Sequence, residues 1–131
     1  MTTGSLYTLL IADDDNINRV ILKHMLKSLE VDLVGVSDGT DAMKYLYEHP
    51  TKKVIMLLDL NMPNMDGNEV IALVNQDSLL KDRVRIIVIT ANLLSIYVKE
   101  GMSNKVLECF EKPVRKEVLI DAINLGISQL N

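Results

Sequence analysis

The chain has little cysteine, little proline and no concentration of positive charge. Cys109 is its single cysteine, so no disulfide can form within the chain and no cysteine spacing indicates a zinc site. The three prolines and six glycines give no sign of disorder. A net charge of -4, a pI near 5.1 and the lack of a Lys/Arg cluster argue against a nucleic-acid surface. We therefore expect a protein of a reducing, cytoplasmic compartment without direct nucleic-acid contacts.

Long apolar runs are missing as well. None approaches the roughly 20 residues that cross a bilayer. The apolar run at 6–12 lacks a basic flank and leads straight into three acids, unlike a signal peptide. We expect no membrane span and no secretion. With 48% apolar and 24% charged residues, the 131-residue chain suits a single domain over 1–131 with a loose terminus at 1–5.

Apolar periodicity predicts alternating strands and helices. Runs rich in Val, Ile and Leu predict strands at 7–12, 33–36, 54–58 and 85–90, with a short fifth at 108–111. The first helix is predicted from a shared apolar face and an N-cap at Asn16; the face comprises Ile17, Val20, Ile21, Leu26 and Leu29. Further helices are predicted at about 40–48, 68–76, 93–100 and 116–130. This alternation predicts an α/β fold with a doubly wound parallel sheet.

Polar residues follow the predicted strands where each one ends. Asp13 and Asp14 follow the first strand and Asp59 follows the third, while Thr90 ends the fourth and Lys112 follows the fifth. The carboxyl ends of parallel strands meet at one edge of the sheet, which is where such folds bind ligands. We therefore expect these five residues to converge on one rim.

Three carboxylates on one rim predict a cation site. Two unit charges about 4 Å apart repel by roughly 4 kcal/mol at an effective dielectric near 20. Oxygen ligands without His or Cys favour magnesium, or manganese. A carboxylate can also attack phosphorus, and the ammonium of Lys112 and the hydroxyl of Thr90 suit the resulting phosphoryl group. The pattern thus predicts a phospho-acceptor site.

Four short motifs give the chain a family resemblance. They are Ile11-Ala12-Asp13-Asp14 with Asn18-Arg19 beyond it, Leu58-Asp59-Leu60-Asn61-Met62-Pro63 with Met65-Asp66-Gly67, Ile89-Thr90-Ala91, and Glu111-Lys112-Pro113. In this order and spacing, residues 7–130 resemble the receiver domain of two-component response regulators. The resemblance implies a flavodoxin-like (βα)5 fold with a five-stranded sheet of order 2-1-3-4-5, in which the first and third strands are neighbours.

The resemblance also implies a role for each residue of the rim. Asp59 would be phosphorylated, and magnesium would bind Asp14, Asp59 and the backbone carbonyl of Asn61, with Asp13 acting mainly through a metal-bound water. Lys112 would pair with Asp59 and then with the phosphoryl group, while Thr90 closes onto it. The peptide bond between Lys112 and Pro113 is expected to be cis.

The implied function is signalling. A phosphohistidine of a histidine kinase or histidine phosphotransfer protein would donate to Asp59, the domain would switch conformation to control a partner, and it would dephosphorylate itself. It would be a phospho-acceptor rather than an enzyme with a separate substrate. Asn61 and Asn92 would influence how long the phosphoryl group stays on Asp59. The helix at 93–100, the fifth strand and the last helix would form the surface for a downstream protein or a homodimer, with the apolar candidates Ile96, Tyr97, Val98 and Ile120.

Two features depart from the family pattern. Many receivers carry Tyr or Phe at the position of Cys109, and the adjacent Phe110 is expected to point to the opposite face of the strand. The usual Thr-aromatic switch is therefore not expected in its ordinary form. The pair Gly101-Met102 comes about four residues earlier than the family's glycine, so the helix at 93–100 is expected to end early or shift.

Three other functions would use part of the same set of residues. A phosphatase resembling haloacid dehalogenases would need further metal-binding acids after Lys112, and only Glu117 and Asp121 follow. A degenerate receiver serving only as an interaction module would not need the acceptor residues. A flavin-binding flavodoxin would need a phosphate loop after the first strand, where Asp13 and Asp14 stand instead. The sequence is compatible with a stand-alone regulator and with a receiver cut from a longer protein.

Overall fold

The computed structural model describes residues 6–91 and 106–131. Five strands form one parallel sheet in the order β2-β1-β3-β4-β5. The strands are β1 (Tyr7–Ala12), β2 (Asp32–Val36), β3 (Lys53–Leu58), β4 (Val84–Thr90) and β5 (Glu108–Glu111). The helices within the described residues are α1 (Asn16–Leu26), α2 (Gly39–Glu48), α3 (Gly67–Gln76), α4 (Ser78–Arg83) and α5 (Lys116–Leu130). The expected doubly wound sheet with order 2-1-3-4-5 is confirmed.

The sheet is covered on both faces, because side chains alternate between the two faces along each strand. On one face Leu10 and Met56 pack in a cluster with residues of α2, α3 and α4. On the other face Leu9 and Leu57 pack in a cluster with residues of α1 and α5. This double burial explains why the central strands are apolar almost throughout rather than alternating with polar residues.

The register of the strands brings their carboxyl ends to a common edge. Ala12 at the end of β1 pairs with Leu58 at the end of β3. On the other side of β3, Leu58 pairs with Val88, so β4 continues for two more residues to Thr90. Thr90 in turn pairs with Glu111 at the end of β5. Residues that directly follow these strands are therefore neighbours in space.

The start of α1 differs from the expectation. The N-cap is Asp15, with extended backbone (φ -88, ψ 113), and its side chain accepts from the amides of Ile17 and Asn18. Asn16, predicted as the cap, is the first helical residue, so that prediction was wrong by one position. Both residue types are good caps, and only the backbone angles choose between them.

The buried face of α1 also differs from the predicted one. Leu22 and Leu26 face the sheet and are 8% and 0% exposed. Ile17, Val20 and Ile21, assigned to the buried face, are 67%, 57% and 50% exposed. The predicted face was right at Leu26 and wrong at these three positions, because periodicity alone does not show which part of an apolar row meets the sheet. A row of apolar side chains is left at the surface.

The helix α4 was not predicted. It has six residues, too few for apolar periodicity to show, and its N-cap Asp77 accepts from the amides of Leu79 and Leu80. Leu80 is 1% exposed and joins the core, which docks the helix. The helix predicted at 93–100 lies outside the described residues. Within the described ranges, no helix has both the length and the apolar character needed to cross a membrane.

Candidate functional site

The strand order reverses direction at β1 and β3, and the acidic residues lie at this point. The connection from β1 leads to one edge of the sheet and the connection from β3 to the other, which opens a crevice at the carboxyl ends. Asp59 extends the ladder beyond β3, since its amide donates to the carbonyl of Ala12 at 2.9 Å. The amide of Asp13 donates to Val36 at 3.1 Å on the other side. Backbone hydrogen bonds thus place Asp13 and Asp59 side by side.

Asp13, Asp14 and Asp59 form an acidic cluster. One carboxylate oxygen from each lies within 4.8 Å of the others. Asp13 and Asp59 are 3% and 7% exposed, whereas Asp14 is open to solvent. Two unit charges 4.8 Å apart repel by about 3.5 kcal/mol at an effective dielectric of 20. Such a cluster of hard oxygen donors, open on one side, is suited to a divalent cation such as magnesium.

Lys112 partly offsets the charge of the cluster. Its Nζ donates to Oδ2 of Asp13 at 2.9 Å and to Oδ2 of Asp59 at 3.0 Å. Burial alone lowers the pKa of Lys112, but the hydrogen bonds to Asp13 and Asp59 outweigh it and raise the pKa above its ordinary value. The side chain therefore stays an ammonium ion. Three carboxylates beside one ammonium carry a net negative charge, and this balance favours binding of a cation.

The position of Lys112 follows from the end of β5. Its amide donates to the carbonyl of Thr90 at 2.8 Å, which continues the ladder between β4 and β5. The peptide bond between Lys112 and Pro113 is cis, as expected. Thr90 itself is fully buried at the carboxyl end of β4, the strand next to β3. The two residues thus occupy adjacent strand ends on the β4 side of Asp59.

The loop after β3 folds back onto Asp59. The amide of Asn61 donates to Oδ1 of Asp59 at 3.1 Å, so one oxygen of the carboxylate contacts the loop and the other contacts Lys112. The loop returns through Gly67, whose amide donates to Leu60 at 3.0 Å. A Cβ on Gly67 would lie 2.7 Å from the carbonyl oxygen of Asp59, so a side chain does not fit there. Asp66 caps α3, and its side chain accepts from the amide of Glu69.

Asp13 is supported by contacts whose role the sequence did not reveal. The amide of Asp15 donates to Oδ1 of Asp13 at 2.9 Å. Arg19 donates from its guanidinium to the backbone carbonyl of Asp13 and to Oδ1 of Asn16. Its side chain passes Gly35 of β2, where an added Cβ would lie 3.3 Å from Cδ of Arg19. The sequence included Asn18-Arg19 among the family motifs. Only the fold shows that Arg19 holds the turn after β1 through its hydrogen bond to the carbonyl of Asp13.

Cys109 and Phe110 lie on opposite faces of β5, as expected from strand geometry. Cys109 packs against the cluster that includes Met56, and Phe110 packs against the cluster that includes Leu57. Burial, with a smaller effect of the Glu108 charge, raises the pKa of the Cys109 thiol. At neutral pH this side chain is therefore a neutral, half-buried thiol at the position where an aromatic ring was expected from the family pattern.

Fold and site together define a flavodoxin-like α/β domain with an acidic crevice that can hold a cation and a phosphoryl group. The family model of the response regulator receiver domain matches residues 9–124. The chain is 32% identical over 117 residues to the sensor histidine kinase RcsC of Escherichia coli (strain K12), covering 89% of this chain and 12% of that protein. The chain belongs to the response regulator receiver domain family.

Solved structures show the same fold. A sensor protein from Polaromonas sp. JS666 superimposes with a TM-score of 0.82 at 28% identity, covering 95% of this chain and 98% of that one. The response regulator protein TrrA from Thermotoga maritima, in complex with Mg(2+)-BeF, has a TM-score of 0.77 at 24% identity, covering 92% and 98%. Receiver domains are phospho-acceptors, and accepting a phosphoryl group is the family's function.

Proposed function

We propose that Asp59 accepts the phosphoryl group, and that the donor is a phosphohistidine of a histidine kinase or histidine phosphotransfer protein. The observation that carries this proposal is the buried Asp59 carboxylate, 3.0 Å from Nζ of Lys112 and next to two further acids. Asp13 contacts Lys112 as well, at 2.9 Å. The family motif around Asp59 distinguishes the two, because it places the acceptor after the third strand. The match to RcsC supports a histidine kinase as the kind of donor.

In this reaction Asp59 acts as the nucleophile, and Lys112 and Thr90 stabilise the charge of the phosphoryl oxygens. An oxygen of Asp59 forms a bond to phosphorus while the phosphorus–nitrogen bond of the phosphohistidine breaks, and the leaving imidazole takes up a proton. The ammonium of Lys112, held charged by its two carboxylate partners, then pairs with the phosphoryl oxygens. The hydroxyl of Thr90, on the neighbouring strand end, donates to another of these oxygens.

Magnesium, or manganese, fits the donor set. Asp13, Asp14, Asp59 and the backbone carbonyl of Asn61 would hold it, with Asp13 acting mainly through a metal-bound water. The donors are hard oxygen atoms, and the three carboxylates retain net negative charge beside Lys112. When bound, the cation supplies positive charge that offsets the charge of the phosphoryl oxygens. The complex of TrrA with Mg(2+)-BeF, in a protein of the same fold, supports this assignment.

The exposed side of α1 is suited to receive the donor. Ile17, Val20 and Ile21 lie 67%, 57% and 50% exposed on this helix. A cavity of about 170 Å³ is lined by Ile21 of this row together with Asp13 and Lys112. A helix that carries a phosphohistidine could cover this apolar row and direct its phosphoryl group towards the acids.

The output surface follows from the family pattern. We propose that β5, α5 and the segment at 93–100 contact a downstream protein or a second copy of the chain, with phosphorylation biasing two conformations, and that self-hydrolysis returns the domain to rest. On α5, Val118 and Leu125 are 40% and 46% exposed and stand two helical turns apart. Ile120 is instead partly buried against the core. The candidates Ile96, Tyr97 and Val98 lie outside the described residues, as does Asn92.

Incubation with acetyl phosphate and magnesium tests the assignment. Intact mass spectrometry should show one added phosphoryl group on the wild type and none on Asp59→Asn. Asp15→Asn is the matched control, since it removes a neighbouring acid and Asn retains the N-cap of α1. This control should take up the phosphoryl group like the wild type.

The other outcomes separate the competing functions. Equal uptake by the wild type and Asp59→Asn would overturn the acceptor assignment. No uptake by the wild type would favour an interaction module. Steady turnover of small phosphomonoesters would favour a phosphatase, because a receiver acts on its own phosphorylated aspartate.

A further inference from the structure

Two loops at the rim of the sheet are tied together by a pair of hydrogen bonds. The side-chain amide of Asn64, in the loop after β3, donates to Oδ2 of Asp38 at 2.7 Å. The amide of Gly39, at the start of α2, donates to the carbonyl of Met65 at 3.1 Å. These four residues, Asp38, Gly39, Asn64 and Met65, are called the loop clasp below. The clasp joins the acceptor loop to the N-terminus of α2.

Each side of the clasp has a residue suited to its conformation. Asn64 has φ of 66°, in the left-handed region that Asn tolerates better than most residues. A Cβ on Gly39 would lie 2.2 Å from the carbonyl oxygen of Met65, so only glycine allows this approach. Gly39 thus permits the close contact with Met65, and Asn64 permits the left-handed backbone, and this arrangement of the two loops uses both.

Asp38 serves both loops through different oxygens. Its Oδ1 accepts from the amide of Asp41 at 2.8 Å and caps α2, while its Oδ2 accepts from Asn64. The backbone amide of Asp41, followed by the side chain of Asn64, lowers the pKa of Asp38. Asp38 is therefore a carboxylate at neutral pH, and its bond to Asn64 is charge-assisted.

The clasp acts on the part of the acceptor loop that is exposed to solvent. Asn61, Pro63 and Asn64 are exposed, whereas Gly67 at the end of the loop is buried. The amide of Asn61 contacts Oδ1 of Asp59 at 3.1 Å, which ties the peptide between Leu60 and Asn61 to the acidic cluster. The Asn61 carbonyl belongs to the next peptide, which lies between this anchored amide and Asn64. Holding Asn64 in place therefore limits from the other side how far that carbonyl can turn.

We propose that Asp38 and Asn64 are positioning residues for the cation, because the clasp holds the Asn61 carbonyl towards the acidic cluster. This inference rests on the proposed function, in which that carbonyl is a ligand. Outer residues that orient a metal ligand commonly change the affinity for the metal when they are replaced. The clasp therefore makes α2 part of the cation site although α2 supplies no ligand.

The test is a magnesium titration of the full chain followed by NMR shifts of backbone amides. In Asn64→Asp, two carboxylates face each other and the clasp opens. We expect the Kd for magnesium to rise about tenfold. Simple electrostatics predicts instead that the Kd for magnesium falls, because an added negative charge near a cation site should tighten binding. Unchanged or tighter binding by Asn64→Asp would overturn the proposal.

The reciprocal exchange provides the control. In the double variant Asp38→Asn with Asn64→Asp, the net charge equals that of the wild type, and Asn at 38 can cap α2 while donating to Asp at 64. This variant should restore magnesium affinity to within about twofold of the wild type. Failure of the exchange to restore affinity, in a variant that folds, would also contradict the clasp.

Two further variants distinguish a failure of the clasp from a failure of the cation site itself. Asn64→Gly retains the left-handed backbone and adds no charge, so it provides the same comparison if Asn64→Asp does not fold. Asp59→Asn should lose most magnesium binding. If Asp59→Asn binds as the wild type does, the proposed cation site itself is wrong, whereas loss in Asp59→Asn with normal binding by both Asn64 variants refutes the clasp alone.

Discussion

Replacing Lys112 by Met is expected to destabilise the domain through charge rather than volume. Methionine keeps much of the aliphatic length, so packing changes little. What is lost is the ammonium that donates to Asp13 at 2.9 Å and to Asp59 at 3.0 Å. The two carboxylates are 3% and 7% exposed and would be left without a positive partner in the described part of the chain.

The size of the effect follows from the contacts that remain. Removing one partner of a fully buried ion pair costs about 3 to 5 kcal/mol. Here Asp13 keeps the amide of Asp15 and Asp59 keeps the amide of Asn61, and the Lys112 side chain is itself 24% exposed. These remaining contacts place the expected loss in free energy of unfolding at about 2 to 3 kcal/mol at neutral pH.

The assay is urea denaturation followed by far-UV circular dichroism at neutral pH. Lys52→Met is the matched control, since Lys52 pairs with Asp32 at 3.1 Å where both side chains are more exposed, and it should lose under about 1 kcal/mol. A loss for Lys112→Met no larger than the loss for Lys52→Met would refute the electrostatic explanation.

Three further predictions concern other parts of the fold. Arg83 donates to the carbonyls of Leu46 and His49 at the end of α2 and of Lys52 directly before β3. Arg83→Met should therefore lower the free energy of unfolding by about 2 kcal/mol in urea denaturation, and Arg83→Lys should restore little because a single ammonium cannot reach the same fork. Gly67→Ala should destabilise by about 2 to 3 kcal/mol, since its Cβ would meet backbone atoms 2.7 Å away. Gly35→Ala should lose under about 1 kcal/mol because flexible Lys23 and Arg19 atoms lie 3.2 to 3.3 Å away, and equal losses would contradict this contrast. The raised pKa of Cys109 means that the folded protein disfavours the thiolate, so stability should fall as pH rises from 9.0 towards the folded pKa. Cys109→Ala should flatten that part of the pH profile in thermal denaturation, and an unchanged slope would assign it to another group.

The strands were predictable because burial on both faces leaves a local signal. The sequences of β1 and β3 are apolar almost throughout, and their predicted positions agree with the structure to within one residue. The short helix α4 leaves no such signal, since Leu80 alone anchors its six residues in the core. Its N-cap Asp77 is equally typical of an ordinary turn.

The helix α1 shows where periodicity reaches its limit. Spacing identified a helix and an apolar row, but Ile17, Val20 and Ile21 proved to be exposed while Leu22 faces the sheet. The side that a helix buries depends on how its axis crosses the strands, and the sequence of the helix alone does not contain that angle. The N-cap depended in the same way on one residue's backbone angles at Asp15.

By itself, the sequence determined that acids and a lysine stand at strand ends, because apolar runs and the residues that interrupt them are local features. Their family motifs determined the type of domain. Only the tertiary structure decided which of these residues touch: Lys112 meets Asp13 across 99 positions and Asp59 across 53, and Asn64 meets Asp38 across 26. Such contacts arise from the order and register of the strands, which no stretch of the chain encodes alone.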